Sequence, residues 1–214
     1  MIKTMNVLLI NGSPHKEGNT AAALKEVAAR LNENGIETTT LWIGTRAVQG
    51  CIGCYKCAEL GRCVFQDELY NEVREAVEKA DALVVGSPTY YAGPNGSLCA
   101  LLDRLFYSSG AHLRGKPAAA VAVCRRGGGS TTFERLNKYF QMMSMPMPNS
   151  QYWNLVYGRR PGDAACDAEG MQTMRTLADN MAWLLKALQG NPRPEQEPWR
   201  MTNFIRKDLT EPTA

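Results

Sequence analysis

The chain has 214 residues, a mass of 23.6 kDa, 44% apolar and 21% charged residues and a formal charge of +3, values of an ordinary globular protein with one large core. Lysine and arginine are spread along it without forming the basic stripe that a phosphate backbone requires, which excludes nucleic acid as a partner. The opening MIKTMNVLLING is too short in apolar residues for a signal-peptide core or a membrane span, so the expectation is a cytoplasmic protein that does not engage membranes.

Residues 6–10, NVLLI, form a continuous apolar run suited to a strand buried on both faces. The polar stretch NGSPHKEGNT follows, then a helix marked by Leu24, Val27, Ala28 and Leu31, with Asn19 or Thr20 as its cap and Gly35 just past its end. Residues 37–43, ETTTLWI, are rich in β-branched types and read as a second strand. Next comes CIGCYKCAELGRC, which holds four of the chain's 7 cysteines. A helix over about residues 67–79, with Leu69, Val73 and Val77 on one face, leads into a third strand, ALVVGSPTYY.

SLCALLDRLFY reads as the third helix and PAAAVAVC as the fourth strand, which ends in a glycine run. A fourth helix over about residues 131–143 precedes a fifth strand around residues 152–156. The last helix is expected to bury Met171, Met174, Leu177, Met181, Leu184, Leu185 and Leu188, with Asp167 as its cap. Five strands alternating with five helices imply right-handed crossovers, a parallel sheet and helices on both faces: an α/β three-layer sandwich. In such sheets ligands sit beyond the carboxyl ends of the strands, where the winding reverses. One domain spans residues 1–189. The proline-rich, charged remainder, 190–214, carries Trp199, Phe204 and Ile205, apolar enough to pack on a partner subunit.

Three loops share that end of the sheet. NGSPHKEGNT joins a strand to a helix start, where free N–H groups and the positive dipole end favour an anion, and Ser13, Asn19 and Thr20 add short polar side chains. His15 stands in the same loop. It is neither GxxxxGK[ST] nor GxGxxG. GSPTYYAGPNGS brings Pro88, Thr89, Tyr90 and Tyr91 to the crevice, where flat amphipathic rings can border a planar ligand, although core packing also accounts for tyrosines. CRRGGGST supplies Arg125 and Arg126 to stabilise negative charge on a reduced ring, and Gly127 and Gly128 for close backbone approach. Together the loops describe a flat heterocycle on a short phosphorylated chain, and FMN has that shape.

On NGSPHKEGNT, on ADALVVGSPTYY with the downstream LLDR, and on CRRGGGSTTF, the sequence resembles the flavodoxin-like NAD(P)H-dependent FMN reductase family from about residue 5 to residue 188. That resemblance implies a five-stranded flavodoxin-like sheet in the order 2-1-3-4-5, non-covalent FMN and NAD(P)H as electron donor. It places the phosphate at Ser13, Asn19 and Thr20, and the ring against residues 88–91 and 125–128. A homodimer or homotetramer is implied as well. Many members carry a lysine in the helix that ends in DR, where this chain has Cys99.

The cysteines Cys51, Cys54, Cys57 and Cys63 follow C-x2-C-x2-C-x5-C. Four thiolates on a compact loop suit a cubane cluster, and four also suit tetrahedral zinc; free or disulfide-forming thiols fit the same spacing. The pattern resembles the iron-sulfur flavoproteins, a branch of the same fold family, and so implies a [4Fe-4S] cluster. Cys99, Cys124 and Cys166 read as small hydrophobes. The functional expectation is an FMN oxidoreductase that moves electrons from NAD(P)H to a small acceptor such as a quinone, nitroaromatic, azo compound or flavin. The alternatives are an iron-sulfur flavoprotein trading electrons with ferredoxin, and a non-catalytic flavin-binding regulatory module.

Overall fold

The computed structural model describes residues 4–191, 193–198 and 200. The first half of the chain forms β1 (Asn6–Asn11), α1 (Asn19–Glu33), β2 (Glu37–Trp42), α2 (Cys57–Leu60), α3 (Glu68–Lys79), β3 (Ala82–Tyr90), β4 (Gly93–Pro94) and α4 (Gly96–Ser108). The second half forms α5 (Gly110–Leu113), β5 (Ala118–Cys124), α6 (Gly129–Met142), β6 (Leu155–Tyr157), α7 (Asp163–Cys166) and α8 (Ala168–Leu188).

Parallel strands lie side by side in the order β2-β1-β3-β5-β6, the anticipated winding once β4 is set aside. The sheet therefore has six strands, where the sequence reading has five. The sixth, β4, is two residues long and runs antiparallel to β3, with Thr89 opposite Pro94 and Tyr90 opposite Gly93. Tyr91 and Ala92 make the reversal with φ of 50° and 58°, the left-handed pair that a two-residue hairpin loop of type I′ requires.

Alternation along the strands feeds two cores. Val7 and Leu9 of β1, with Val84, Val121 and Val123, meet Leu24, Val27 and Leu31 of α1 and Met174, Leu177 and Met181 of α8. Leu8 and Ile10, with Leu83 and Val85, face α3, α4 and α6 through Val73, Leu101 and Phe140. Both faces of the central strands are covered, which is why they read as unbroken apolar runs.

Asp67 and Asp167 cap α3 and α8 through Tyr70 N and Gly170 N. Neither Asn19 nor Thr20 caps α1: Gly18 is the capping residue, and no side chain bonds to the helix start. On α8, Leu184 is only half-buried and Leu188 is exposed, because the helix runs past the edge of the core there. The fifth parallel strand begins at Leu155 rather than near residue 152. Tyr152 and Trp153 are exposed and pack on each other, ring centroids 5.1 Å apart, while buried Asn154 donates from its amide to Ala120 O at 3.0 Å. Met145 is buried and Met143 and Met147 pack against the core, whereas Met142 is exposed. Trp199, Phe204 and Ile205, the basis for tail packing on a partner, lie outside the described residues. Among the described residues, no helix is long and apolar enough to cross a membrane.

Gly86 lets α1 sit close to the sheet, since a Cβ there would lie 2.9 Å from Leu24 Cδ1. Gly86→Ala is expected to destabilise the fold by about 1–3 kcal/mol in urea unfolding, from overpacking. The α1–α8 contact carries a second marker: Arg30 donates to both oxygens of Asp179 at 2.8 and 3.1 Å, and Asn34 Nδ2 donates to the same carboxylate at 2.7 Å. The Arg30 hydrogen bonds hold the Asp179 carboxyl below its ordinary value. A lowered folded pKa contributes stability above the unfolded value and loses it as pH falls through the folded one. Asp179→Ala should therefore unfold more readily than wild type at pH 7, by a modest margin that narrows below about pH 4.

Candidate functional site

The winding reverses between β1 and β3, and there the loops after β1, β3, β5 and β6 enclose a cleft of about 380 Å³. The first loop is held from both sides. Asn11 Oδ1 accepts from Ser13 N at 3.0 Å and Ser13 Oγ from His15 N at 3.1 Å. Gly12 N donates to Gly86 O at 2.8 Å, and buried Asn95 donates from its amide to Gly12 O at 2.9 Å. Asn95 Oδ1 also receives the N–H of Ser97, and its backbone N–H donates to Ser87 Oγ, so one residue ties the first loop to the third strand. With no side chain on the start of α1, its first-turn N–H groups and positive dipole end are left for an anion.

Ser13, His15, Asn19, Thr20, Pro88, Thr89, Tyr90 and Arg125 all line this cleft. Asn19 lines it and is also held within the chain. Its amide donates to Arg160 O at 2.9 Å and accepts from Ala164 N at 3.1 Å, so it is committed to the loop after β6 and draws that loop over the cleft. Arg159, on the same loop, is a wall residue that the sequence reading missed. The Asp163 carboxylate shapes the turn by accepting from Arg159 N and Arg160 N at 2.9 and 2.7 Å, which lowers its pKa. The available signal was position: Arg159 follows a parallel strand at its carboxyl end, as the other three loops do.

Tyr91, Arg126, Gly127 and Gly128 stand outside the wall. Tyr91 is fully exposed at the tip of the β3–β4 hairpin, and Arg126 and Gly127 are exposed beside it in the chain's glycine loop. Gly128 has φ of 84°, and a Cβ on it would lie 2.8 Å from Ala92 Cα, so it lets the glycine loop press against the hairpin. Thr89 Oγ1 is buried in the wall with no hydrogen-bond partner among the described residues. Burial raises the Cys124 thiol at the cleft floor, keeping it protonated at neutral pH. These residues fit a flavin phosphate: a helix start, Ser13, Arg125 and Arg159 for the phosphate, and an unpartnered hydroxyl with Tyr90 for the polar and flat parts of the ring system.

A second cavity opens beneath the cysteine loop, and Cys51, Cys54, Cys57 and Cys63 all line it, together with Arg104. Arg104 is fully buried. Its guanidinium donates to Gln49 O at 3.3 Å and Phe65 O at 2.7 Å, one carbonyl on each side of the four cysteines, and it pairs with Asp67. The Tyr70 ring stacks under it at 4.7 Å. Tyr70 Oη also accepts from Cys63 N at 3.0 Å and meets Ser108 Oγ at 2.6 Å. Arg104 Nε has no hydrogen-bond partner among the described residues. Burial alone would lower the guanidinium's pKa, yet its interactions with the nearby Cys63 thiol and with Asp67 carry it upward.

Burial raises the Cys57 thiol, and the other three thiols add to the rise. Four thiolates could share this cavity only around a cationic centre. Among the described residues no three Cys, His, Asp or Glu side chains converge tightly enough to ligate one metal ion. Four cysteines lining one cavity are a donor set that an iron-sulfur cluster or tetrahedral zinc takes.

The family model for NADPH-dependent FMN reductase matches residues 5–159. An iron-sulfur flavoprotein of Methanocaldococcus jannaschii is 34% identical over 193 residues, covering 86% of this chain and 100% of that protein. An iron-sulfur flavoprotein of Methanosarcina thermophila is 28% identical over 193 residues, covering 87% and 98%. Among solved structures, RosB with bound 8-demethyl-8-formylriboflavin-5'-phosphate superposes with a TM-score of 0.69 at 14% identity, covering 96% of this chain and 94% of the other, a likeness of fold. Arg159→Gln is expected to weaken FMN binding roughly tenfold to a hundredfold, the loss of one charged hydrogen bond, in a fluorescence titration. An unchanged affinity would place the phosphate away from the β6 loop.

Proposed function

Because the chain belongs to the NADPH-dependent FMN reductase family, with iron-sulfur flavoproteins among its relatives, we propose that it is an FMN-dependent oxidoreductase whose four clustered cysteines hold a [4Fe-4S] cluster. The observation that carries this reading is the cavity ringed by Cys51, Cys54, Cys57 and Cys63 and closed by the buried Arg104. FMN, when bound, supplies hydride acceptance from a nicotinamide and one- or two-electron release, and a cluster supplies single-electron transfer.

The chain's own residues then have limited tasks. The start of α1, Ser13, Thr20, Arg125 and Arg159 bind the phosphate end, and Asn19 holds the β6 loop in place over it. Thr89 Oγ1 and Tyr90 orient the ring system, and buried Asn95 fixes the first loop against β3. None of them is asked to move a proton. One helix bears on both sites: Asn95, just before α4, holds the first loop of the cleft, and Arg104, on α4, lines the cysteine cavity, roughly 14 Å of helical rise away. Electrons are proposed to enter from NAD(P)H at the flavin and to leave to a small acceptor or, through the cluster, to a one-electron partner such as ferredoxin.

Anaerobically purified protein should carry bound FMN, broad visible absorbance beneath the flavin bands, and iron and acid-labile sulfide in the proportions of a [4Fe-4S] cluster. Cys57→Ser should lose the iron and sulfide and keep the FMN. Wild-type protein that binds FMN but contains neither iron nor sulfide would overturn the cluster assignment. NAD(P)H oxidation with a quinone or azo acceptor, set against reduction by ferredoxin alone, decides the donor.

A further inference from the structure

Arg104 presents an unusual combination for a buried cation. Its guanidinium is completely shielded from solvent, bonded to a carbonyl at each end of the cysteine loop, paired with the Asp67 carboxylate and stacked on Tyr70. One donor, Nε–H, is left without a partner in the wall that also holds Cys63. A guanidinium does not give up its proton, so the positive charge at this wall is permanent. Leaving a charged donor unsatisfied is unfavourable unless an acceptor arrives, and the acceptors the cavity offers are sulfurs.

We propose that Arg104 is the positioning residue that sets the reduction potential of the cysteine site: its Nε–H donates to sulfur at Cys63, its charge raises the potential, and Asp67 holds that rise in check. The inference rests on the reading that the four cysteines hold an iron-sulfur cluster. Adding one electron there makes the cavity more negative by one charge and moves no proton to or from Arg104. A fixed cation in a dry wall favours that reduced state, and a carboxylate beside the cation opposes it. Arginine also fits mechanically, because one planar fork reaches both loop ends; a lysine would keep the charge and lose the span.

The test is an anaerobic redox titration of the cluster, followed by electron paramagnetic resonance, in the full-length holoprotein with iron, sulfide and FMN content measured alongside. Arg104→Gln is expected to shift the midpoint downward, Arg104→Lys to shift it less, and Asp67→Asn to shift it upward. Asparagine at 67 keeps the α3 cap to Tyr70 N, so that variant does not rely on tolerance of a change in the core. The opposite signs separate an electrostatic role from a structural one, which would move both variants the same way or not at all. Midpoints that coincide with wild type in protein carrying a full complement of iron and sulfide would overturn the role of Arg104 and leave the cluster standing. If Arg104→Gln fails to bind FMN and so has not folded, the Asp67→Asn midpoint decides: a rise supports the proposal and no change overturns it. Wild-type protein without iron and sulfide would remove the cluster and this inference together.

Discussion

A parallel sheet whose central strands are apolar on both faces can place polar chemistry only beyond its strand ends. Here β1, β3 and β5 are sealed by helices on both sides, with Leu8 and Ile10 facing one core and Val7 and Leu9 the other. Everything that binds, orients or carries charge at the cleft comes from loops at the carboxyl edge, and the winding reversal between β1 and β3 opens the space between them. The first loop is the most constrained of these. Gly12 is bonded from both Gly86 and Asn95, so its position is inherited from the third strand and from the start of α4 as much as from its own residues.

The helix α4 links this edge to the second site. Asn95, just before it, fixes the flavin-side loop, and Arg104, Tyr107 and Ser108, near its end, line or support the cysteine cavity. Its apolar face, Leu98, Leu101, Leu102 and Leu105, is buried against the sheet, which prevents the helix from sliding or rotating freely. A change at either end is thus transmitted to a rigid element and not to a flexible connector. The cysteine loop, by contrast, is exposed over most of its length, and its two ends are joined by the guanidinium reaching Gln49 O and Phe65 O.

Much of this was legible in the sequence because the informative residues are local. Continuous apolar runs gave away the central parallel strands, the Asp167 cap marked the start of the last helix, and the cysteine spacing pointed to one shared site. What escaped notice depends on pairing across the chain. Asn19 belongs by spacing to a phosphate loop, but its amide is taken by Arg160 O and Ala164 N, about 140 residues away, a partner that no local pattern encodes. The β3–β4 hairpin was hidden because Tyr91 and Ala92 occupy left-handed positions where Asn-Gly would have announced a turn. Tyr152 and Trp153 have strand-like composition, yet their exposure reflects packing on each other outside the sheet. Arg104 was visible only as the end of LLDR; its meaning lies in two loop carbonyls and four thiols assembled by the fold.

Buried polar atoms without partners mark the walls of both sites. Buried polar groups in folded proteins are almost always satisfied, so those that are not ask for an explanation. Among the described residues the buried side-chain atoms without a partner belong to Arg74, Glu78, Thr89, Arg104 and Ser109. Glu78 Oε1 itself lies 2.7 Å from Arg74 Nη2 in an ion pair, which leaves little to explain there. Ser109 Oγ is the one for which the structure offers no account. Thr89 Oγ1 lies in the wall of the flavin-sized cleft and Arg104 Nε in the wall of the cysteine cavity. Each would cost about 1–3 kcal/mol if it stayed unmet, more for the charged group. A fold that carries one such atom in the wall of each of two cavities leaves polar groups there for acceptors and donors that the described residues do not supply.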